Sequence, residues 1–301
     1  MKNAVNYIIN IVLIFAIALF SVASLESPET NKGVRWMSHL EDDRAINELS
    51  IPGTHDSGAT HSIADVAGKC QSLTIEDQLY IGVRFFDIRL QLVEDEFNIV
   101  HSFVDQATDF DDVLCEMVDF ITENPSEFLI VSIKKDADSK RADGDFATLL
   151  EEELREYSQI STSTTLPKTV GEARGKIYII SRYEGSTMGI PAYEGWQDST
   201  TFTLGELYVQ DNYKVEAEEE KIADIESAML VADTLEHGLV LNFTSCYLTS
   251  GFPPTYAGTP AKTINPWIIE RLRLEARPQG VLICDFMTSD LVKAIWEVNF
   301  R

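Results

Sequence analysis

Three side chains that can move protons or bind a phosphate lie beside short apolar runs of this sequence. His55 lies in the Pro/Gly-bearing turn of residues 50–58, and His101 ends an apolar run. Arg89 follows Asp87 by two residues, so both side chains point to one face of a strand. Imidazole takes and gives protons near neutral pH, and a guanidinium can bind a phosphate through its planar fork of donors. This combination is typical of phosphodiester cleavage by an internal hydroxyl group.

Carboxylates accompany the two histidines. Asp56 follows His55 directly, and Asp285 ends the apolar run 281–284. An aspartate at the end of an apolar run is costly to bury unless it is paired, and a histidine supplies that pairing. We therefore expect carboxylate–histidine contacts in the folded protein.

Other interpretations of the same residues remain open. Any single histidine could be purely structural, and Asp87 with Arg89 could be a salt bridge in a polar layer of the core. His55, Asp56 and His101 are also possible metal ligands. The permanent charge of Arg89 would repel a cation, which argues against a metal site.

The elements that must position these residues are short strands alternating with amphipathic helices. Strands are predicted near Ser50 and at residues 84–93, 97–103, 128–134, 176–182, 207–211, 239–244 and 281–286. Helices are predicted at residues 110–121, 146–157, 216–230, 265–274 and 291–298. Roughly eight strands interleaved with helices predict an α/β fold, a single irregular (β/α)8 TIM-like barrel at residues 36–301, whose site lies at the carboxyl ends of the strands. Residues 97–103 follow their predecessor too closely for a helical crossover, so part of the sheet is expected to be a hairpin or distorted.

The N-terminus differs from the rest of the chain. Residues 1–24 combine one early lysine with a long apolar stretch and small residues at its end, which predicts a secretory signal peptide and an extracellular protein. An uncleaved membrane anchor is the alternative, because the apolar run approaches spanning length. Residues 25–35 are interpreted as a linker.

Charge and cysteine content restrict the class of protein. The formal net charge of −25 argues against nucleic-acid binding and against electrostatic attachment to anionic lipid. The four cysteines contain no CxxC pair, which argues against a zinc site. Two disulfides and four separate thiols are equally compatible with the positions of these residues, which are Cys70, Cys115, Cys246 and Cys284.

The order of the motifs is similar to that of a known family. Residues 50–58 and 86–89 resemble the X-domain core of bacterial-type phosphatidylinositol-specific phospholipases C. The similarity continues through His101 and residues 124–127, 132–135, 176–183, 209–213 and 242–245. It covers nearly everything from about Trp36 to Phe286.

The resemblance implies a role for each matching residue. His55 would be the general base for the inositol 2-hydroxyl, with Asp285 orienting it. His101 would be the general acid for the departing diacylglycerol oxygen, with Asp56 as its partner. Arg89 would bind the phosphorus group, in place of the calcium ion of eukaryotic relatives. No metal or other cofactor is therefore expected.

The resemblance also implies what the site binds. Lys134, Arg182, Asp211 and Tyr213 match positions that hold the inositol, and Asp87 lies beside Arg89. The expected partner is phosphatidylinositol, or a glycosylphosphatidylinositol (GPI) anchor, at a membrane surface, acted on by a monomer and giving inositol 1,2-cyclic phosphate. Residues 59–71 lack the aromatics expected of a membrane-contact helix, and residues 251–256 could supply a rim contact instead. A non-catalytic inositol-lipid binding protein on the same barrel, or a metal-dependent glycerophosphodiesterase-like enzyme, remains an alternative.

Overall fold

The structure is a computed structural model that describes residues 33–61, 68–102, 104–250 and 256–301. The expected signal peptide, most of the expected linker and residues 251–255 of the expected rim segment lie outside these ranges. Among the described residues, no helix is both long enough and apolar enough to cross a membrane.

The elements follow one another in the alternating order that the sequence predicts. The strands are β1 (Ser50–Thr54), β2 (Phe85–Val93), β3 (Glu96–His101), β4 (Val104–Asp109), β5 (Leu129–Lys135), β6 (Ile160–Ser161), β7 (Ile177–Arg182), β8 (Ile190–Pro191), β9 (Thr201–Leu204), β10 (Leu207–Gln210), β11 (Lys214–Val215), β12 (Leu239–Phe243), β13 (Tyr247–Leu248) and β14 (Gly280–Cys284). The helices are α1 (Ile75–Ile81), α2 (Phe110–Glu123), α3 (Phe146–Arg155), α4 (Val170–Ala173), α5 (Glu218–Thr234), α6 (Gly258–Leu272) and α7 (Ser289–Trp296), with short 3-10 helices at Trp36–His39, Ile46–Glu48 and Glu297–Phe300.

A curved wall of parallel strands forms the centre of the fold. In the described part of the chain, its order is β7-β5-β2-β1-β14-β12-β10, and every neighbouring pair is parallel. All residues of β1, β12 and β14 are buried, as expected for strands covered on both faces. Short β6 extends one edge and antiparallel β9 the other, and no pairing between these two edges closes the wall among the described residues. The irregular TIM-like barrel predicted from the sequence is confirmed.

One predicted strand does not belong to the parallel wall. The strand expected at residues 97–103 is β3, which turns back antiparallel to β2 and continues into antiparallel β4. A two-residue turn between β2 and β3 leaves no room for the helix that a parallel connection needs. The hairpin suspected at this position is therefore confirmed, and the parallel wall has correspondingly fewer strands than the roughly eight predicted.

The helices cover the outside of the wall through apolar faces. In α2 the buried residues recur at helical spacing from Phe110 to Ile121, and the helix ends before Asn124 and Pro125. Four other helices begin with a capping side chain: Thr74 for α1, Asp145 for α3, Thr169 for α4 and Thr288 for α7. Each cap fixes the residue at which its helix begins. It therefore helps to fix the path of the loop that joins the helix to the preceding strand.

Candidate active site

The register of two neighbouring strands brings His55 and Asp285 together. Strands β1 and β14 are parallel, and Thr54 pairs with Cys284 at their carboxyl ends. The next residue on each strand is the histidine or the aspartate. His55 Nδ1 lies 2.8 Å from Asp285 Oδ1. The carboxylate–histidine contact expected from the sequence is present.

The turn after β1 is held in place by β2. Asp56 has a φ of 44°, and its backbone N–H donates to Asp87 Oδ2 at 3.2 Å. The N–H of Ser57 donates to the carbonyl oxygen of Asp87 at 2.8 Å. A side chain at Gly58 would come within 2.6 Å of Ile99, so only glycine fits this turn. The glycine-bearing motif therefore places two site residues, the histidine and the aspartate after it, side by side.

Arg89 lies at the centre of the charged cluster. Its Nη2 is 2.8 Å from His55 Nε2, and its Nε and Nη2 are each 3.2 Å from Asp87 Oδ2. Its Nη1 is 3.4 Å from Asp56 Oδ2 and 3.9 Å from Asp136 Oδ1. Burial alone would lower the pKa of Arg89, but Asp56 and Asp87 raise it well above its usual value. The guanidinium is therefore a fixed, permanent positive charge.

The contacts of His55 determine which of its nitrogens carries the proton. An arginine can only donate, so Nε2 must accept from Arg89 and Nδ1 must donate to Asp285. Burial alone would lower the pKa of His55, but the charge of Asp285, its hydrogen bond to the ring and the charge of Asp87 together raise it. His55 is thus a neutral base whose Nε2 lone pair faces the guanidinium and whose affinity for a proton is increased.

The second histidine is paired with the buried Asp56. His101 Nδ1 lies 2.9 Å from Asp56 Oδ2, and the Asp56 side chain is completely buried. Neither Asp56 oxygen has a partner among the described residues with the geometry of a hydrogen bond, so the contact with His101 is electrostatic rather than a well-directed bond. The Sγ atom of Cys70 lies 3.5 Å from the same His101 nitrogen.

Asp87 is buried between two arginines. Its Oδ1 accepts from Arg182 Nη1 at 3.2 Å, while Arg89 holds the other oxygen. Burial alone would raise the pKa of Asp87, but the two guanidinium charges lower it well below its usual range. The salt bridge considered from the sequence is therefore real, and it orients Arg89 and Arg182 toward one cavity.

Asp136 is a site residue that sequence reasoning missed. It accepts from Lys134 Nζ at 2.5 Å and from the N–H of Ser102 at 2.7 Å. Burial would raise its pKa, but Arg89 and Lys134 lower it. The signal was available, because Asp136 follows Lys134 by two residues at the end of β5, the same spacing that marks Asp87 and Arg89.

The remaining predicted residues also line the cavity. Arg182 stacks on the ring of Trp196 at 3.6 Å, and the Trp196 indole N–H donates to Asp211 Oδ2 at 3.3 Å. The hydroxyl of Tyr213 donates to Asp198 Oδ1 at 2.5 Å. Trp196 and Asp198 come from an irregular loop that no sequence pattern marks as part of a site.

Together these residues surround one open cavity of about 850 Å³ at the carboxyl ends of the parallel strands. Eight of the ten residues selected from the sequence line it, namely His55, Arg89, His101, Lys134, Arg182, Asp211, Tyr213 and Asp285. The other two, Asp56 and Asp87, are buried and pair with the lining residues. Two aromatic residues at the cavity, Tyr193 and Tyr256, are 49% and 40% exposed. Tyr256 ends the segment 251–256 that was expected to supply a rim contact.

Comparison with known proteins identifies the family. The family model described as phosphatidylinositol-specific phospholipase C, X domain, matches residues 48–183. A 1-phosphatidylinositol phosphodiesterase of Staphylococcus aureus (strain Newman) is 30% identical over 292 residues, a match that covers 87% of this chain and 89% of the relative. The chain belongs to the phosphatidylinositol-specific phospholipase C family. The resemblance inferred from the sequence motifs is confirmed.

Further relatives extend the similarity over the whole barrel. A 1-phosphatidylinositol phosphodiesterase of Listeria monocytogenes is 26% identical over 277 residues, covering 88% of this chain and 84% of the relative. A solved structure of the S. aureus phosphatidylinositol-specific phospholipase C superposes with a TM-score of 0.80 at 26% identity, covering 89% of this chain and 97% of that one. The second half of this phospholipase C barrel, with Asp211, Tyr213 and Asp285, is therefore included in the match.

Proposed function

We propose that this protein is a metal-independent phosphatidylinositol-specific phospholipase C. It cleaves the phosphodiester by attack of the inositol 2-hydroxyl and releases diacylglycerol and inositol 1,2-cyclic phosphate. The observation that carries the proposal is the position of Arg89, 2.8 Å from His55 and 3.4 Å from the carboxylate that is paired with His101. A phosphate bound to this guanidinium lies within reach of both a base and an acid.

The first half of the reaction uses His55. Its Nε2 removes the proton from the 2-hydroxyl while the hydroxyl oxygen forms a bond to phosphorus. Asp285 stabilises the imidazolium that results, through its contact with Nδ1. In the free protein Arg89 occupies Nε2, so the substrate phosphate must draw the guanidinium away before the base can act.

Arg89 stabilises the charge that develops on the phosphorane oxygens. Asp56, Asp87 and Asp136 hold the guanidinium in the site, so once the phosphate has displaced it from His55 little further reorganisation is needed during the reaction. Preorganised positive charge in a water-poor site is commonly the largest contribution to catalysis of this type.

The second half of the reaction uses His101 as the acid. With Nδ1 beside Asp56, Nε2 is the nitrogen left to protonate the glycerol oxygen as its bond to phosphorus breaks. His55 takes up one proton and His101 gives one, so the net proton count of the site does not change. Exchange with solvent then restores both residues.

The inositol ring is held by other residues that line the same cavity. Lys134, Arg182 and Asp211 offer donors and an acceptor for the ring hydroxyls, and the Tyr213 ring offers an apolar face. Each polar group already has a partner, so each keeps its orientation when the substrate enters. A site built on such hydrogen bonds rejects a lipid whose head group lacks the hydroxyls.

The setting of the reaction is also a proposal. The apolar segment of residues 1–24 supports export, and the name of the Staphylococcus relative supports phosphatidylinositol as the lipid. The cavity is open on one side, and the inositol of a GPI anchor carries its glycan away from the reacting phosphate. We therefore include GPI anchors among the candidate substrates.

The proposal is tested with phosphatidylinositol in detergent micelles and single histidine variants. We expect His55→Ala and His101→Ala to lower the rate of diacylglycerol release by about 10²–10⁴-fold each, because each removes one proton-transfer group. The matched control is His237→Ala, at an exposed histidine that does not line the cavity, which should keep the original rate. Near-normal rates in either active-site variant, with circular dichroism unchanged, would refute the assignment.

A further inference from the structure

A cysteine with no part in the proposed reaction lies inside the site. Cys70 lines the cavity, is only 1% exposed and has its Sγ atom 3.5 Å from His101 Nδ1. Its backbone is fixed on both sides, because its N–H donates to Ala59 and its carbonyl oxygen accepts from Phe286. The thiol is therefore held beside the proposed general acid.

An incompletely satisfied carboxylate lies beside the same two groups. Asp56 is fully buried, and neither of its oxygens accepts a well-formed hydrogen bond from the described residues. Asp56, Cys70 and His101 each offer one ligand atom, and these three atoms lie within 4.8 Å of one another. A carboxylate that is buried without hydrogen bonds, with a thiol and an imidazole within 4.8 Å, is suited to a cation.

The distances match the coordination of zinc more closely than that of a hard cation. With Zn–S about 2.3 Å and Zn–N about 2.0 Å, tetrahedral geometry separates the sulfur and nitrogen by about 3.5 Å. The observed Cys70–His101 distance is 3.5 Å. The corresponding nitrogen–oxygen separation is about 3.3 Å, so the 2.9 Å contact between His101 and Asp56 needs to open only slightly. Calcium and magnesium prefer oxygen ligands throughout.

We propose that Cys70, His101 and Asp56 form a binding site for a soft divalent cation, best fitted by Zn²⁺, and that the bound ion inhibits the enzyme. The ion bonds to His101 Nδ1, the nitrogen that otherwise faces Asp56, so His101 can no longer act as the proposed general acid. The fourth position is open toward the cavity. The inhibition rests on the proposed function, whereas the binding rests on the geometry alone.

Binding requires the Cys70 thiol and His101 Nδ1 each to give up a proton. The S–H and N–H bonds break, both protons go to solvent, and the sulfur and the nitrogen bond to the metal with no change of oxidation state. Burial and the carboxylates Asp285, Asp56 and Asp87 raise the pKa of Cys70 well above its usual value, while Arg89 lowers it. Three negative charges and one positive charge near the sulfur make the site favourable for a cation, although Arg89 must move away from Asp56.

The sequence does not predict this site, because Cys70 is not part of a CxxC pair. Its ligands come from three separate segments, which only the folded barrel brings together. A second set, His55, Cys70 and Asp285, also has its ligand atoms within 4.8 Å of one another. The His55 nitrogens are already occupied by Asp285 and Arg89, whereas both Asp56 oxygens lack hydrogen bonds, which favours the set that contains His101.

Direct binding is measured on the full chain with Co²⁺ as a spectroscopic substitute for Zn²⁺. We expect a thiolate-to-cobalt charge-transfer band in the near ultraviolet that saturates at one ion per chain and disappears when Zn²⁺ is added. Cys70→Ser should abolish the band, and His101→Ala should weaken Co²⁺ binding at least tenfold. The matched control, Cys115→Ser on α2, should leave the band unchanged.

Inhibition is measured in parallel, with each variant compared with its own rate in chelator. We expect Zn²⁺ to inhibit the unaltered chain reversibly and Cys70→Ser to raise the inhibition constant at least tenfold. The proposal is overturned by the absence of a charge-transfer band, by a band that survives Cys70→Ser, or by a band that depends on His55 and not on His101. If the band is present but no lipid is cleaved, the cation site stands and the proposed function fails.

Discussion

Arg89 links the two histidines of the site, and its position explains how the free enzyme is held ready. The guanidinium donates to the Nε2 atom that must later accept a proton, and it is held from the other side by Asp56 and Asp87. A phosphate that binds Arg89 is held by the guanidinium charge, and it also frees the Nε2 atom of His55 to act as the base. Substrate binding and activation of His55 are therefore one event.

The pH dependence of the reaction follows from the contact between His55 and Asp285. The raised pKa of His55 means that the neutral base is lost as the pH falls through a value above about 6.5, the usual histidine pKa. Asp285→Asn removes the charge that raises this pKa. We expect the acidic limb of the kcat/KM profile to move to lower pH, and the plateau to fall by about 10²–10⁴-fold because the tautomer is no longer fixed.

The control for this measurement is Asp198→Asn, which changes a carboxylate that contacts Tyr213 and Lys214 instead. Its acidic limb should stay in place. An Asp285→Asn profile whose acidic limb coincides with that of the unaltered protein would contradict the assignment of His55 as the base.

At the scale of the elements, a buried ion pair lies at the amino end of the wall. Arg84, directly before β2, is completely buried and donates through Nε to Glu127 at 3.0 Å. It also donates to the carbonyl oxygens of Val34, Leu79 and Val83, and it lies 4.6 Å from the ring of Phe120. One side chain thus ties the first described segment, α1 and α2 to the sheet.

Loss of Glu127 should therefore destabilise the whole barrel. Glu127→Ala leaves a buried guanidinium without its counter-charge, and we expect the free energy of unfolding to fall by about 3–5 kcal/mol. Arg273→Ala, which breaks an exposed pair with Glu270, should cost less than about 1 kcal/mol. Equal urea midpoints for the two variants would show that the buried pair does not stabilise the fold as described.

Some strands and helices could be predicted from the sequence and others could not. Buried strands such as β12 and β14 were predictable because every residue is covered and the run is almost wholly apolar. Strand β4 was missed because most of its residues face solvent and only Gln106 is buried. Its pairing with β3 depends on a turn rather than on an apolar pattern.

The site follows a similar rule. Residues directly after wall strands, such as His55 and Asp285, were predictable because parallel strands bring their carboxyl ends to one edge. Trp196 and Cys70 were not, since their places depend on how irregular segments cross the cavity. Asp136 could have been found from its spacing to Lys134.

At the scale of the whole molecule, the net charge of −25 coexists with a cavity that carries Arg89, Arg182 and Lys134. The acidic surface gives no attraction to anionic lipid, so the local positive charge must select the phosphate. Attachment to a membrane then depends on apolar contact, for which the exposed Tyr193 and Tyr256 at the cavity are available.

The thiol content of the molecule gives another test. All four cysteines lie in the described part of the chain, and each is a free thiol. We expect the denatured, unreduced protein to react with four equivalents of a thiol reagent, and its Tm to be unaffected by dithiothreitol. Fewer reactive thiols, together with a Tm that falls under reduction, would show instead that disulfides stabilise the barrel.

The central claim is that an internal hydroxyl, positioned by His55 and Arg89, cleaves the phosphodiester without a metal ion. Phosphorus NMR of the water-soluble product, formed from phosphatidylinositol micelles in excess EDTA, tests it most directly. We predict the signal of a cyclic inositol phosphate as the first product. A linear inositol phosphate formed first, or a reaction that occurs only when calcium is added, would contradict this account.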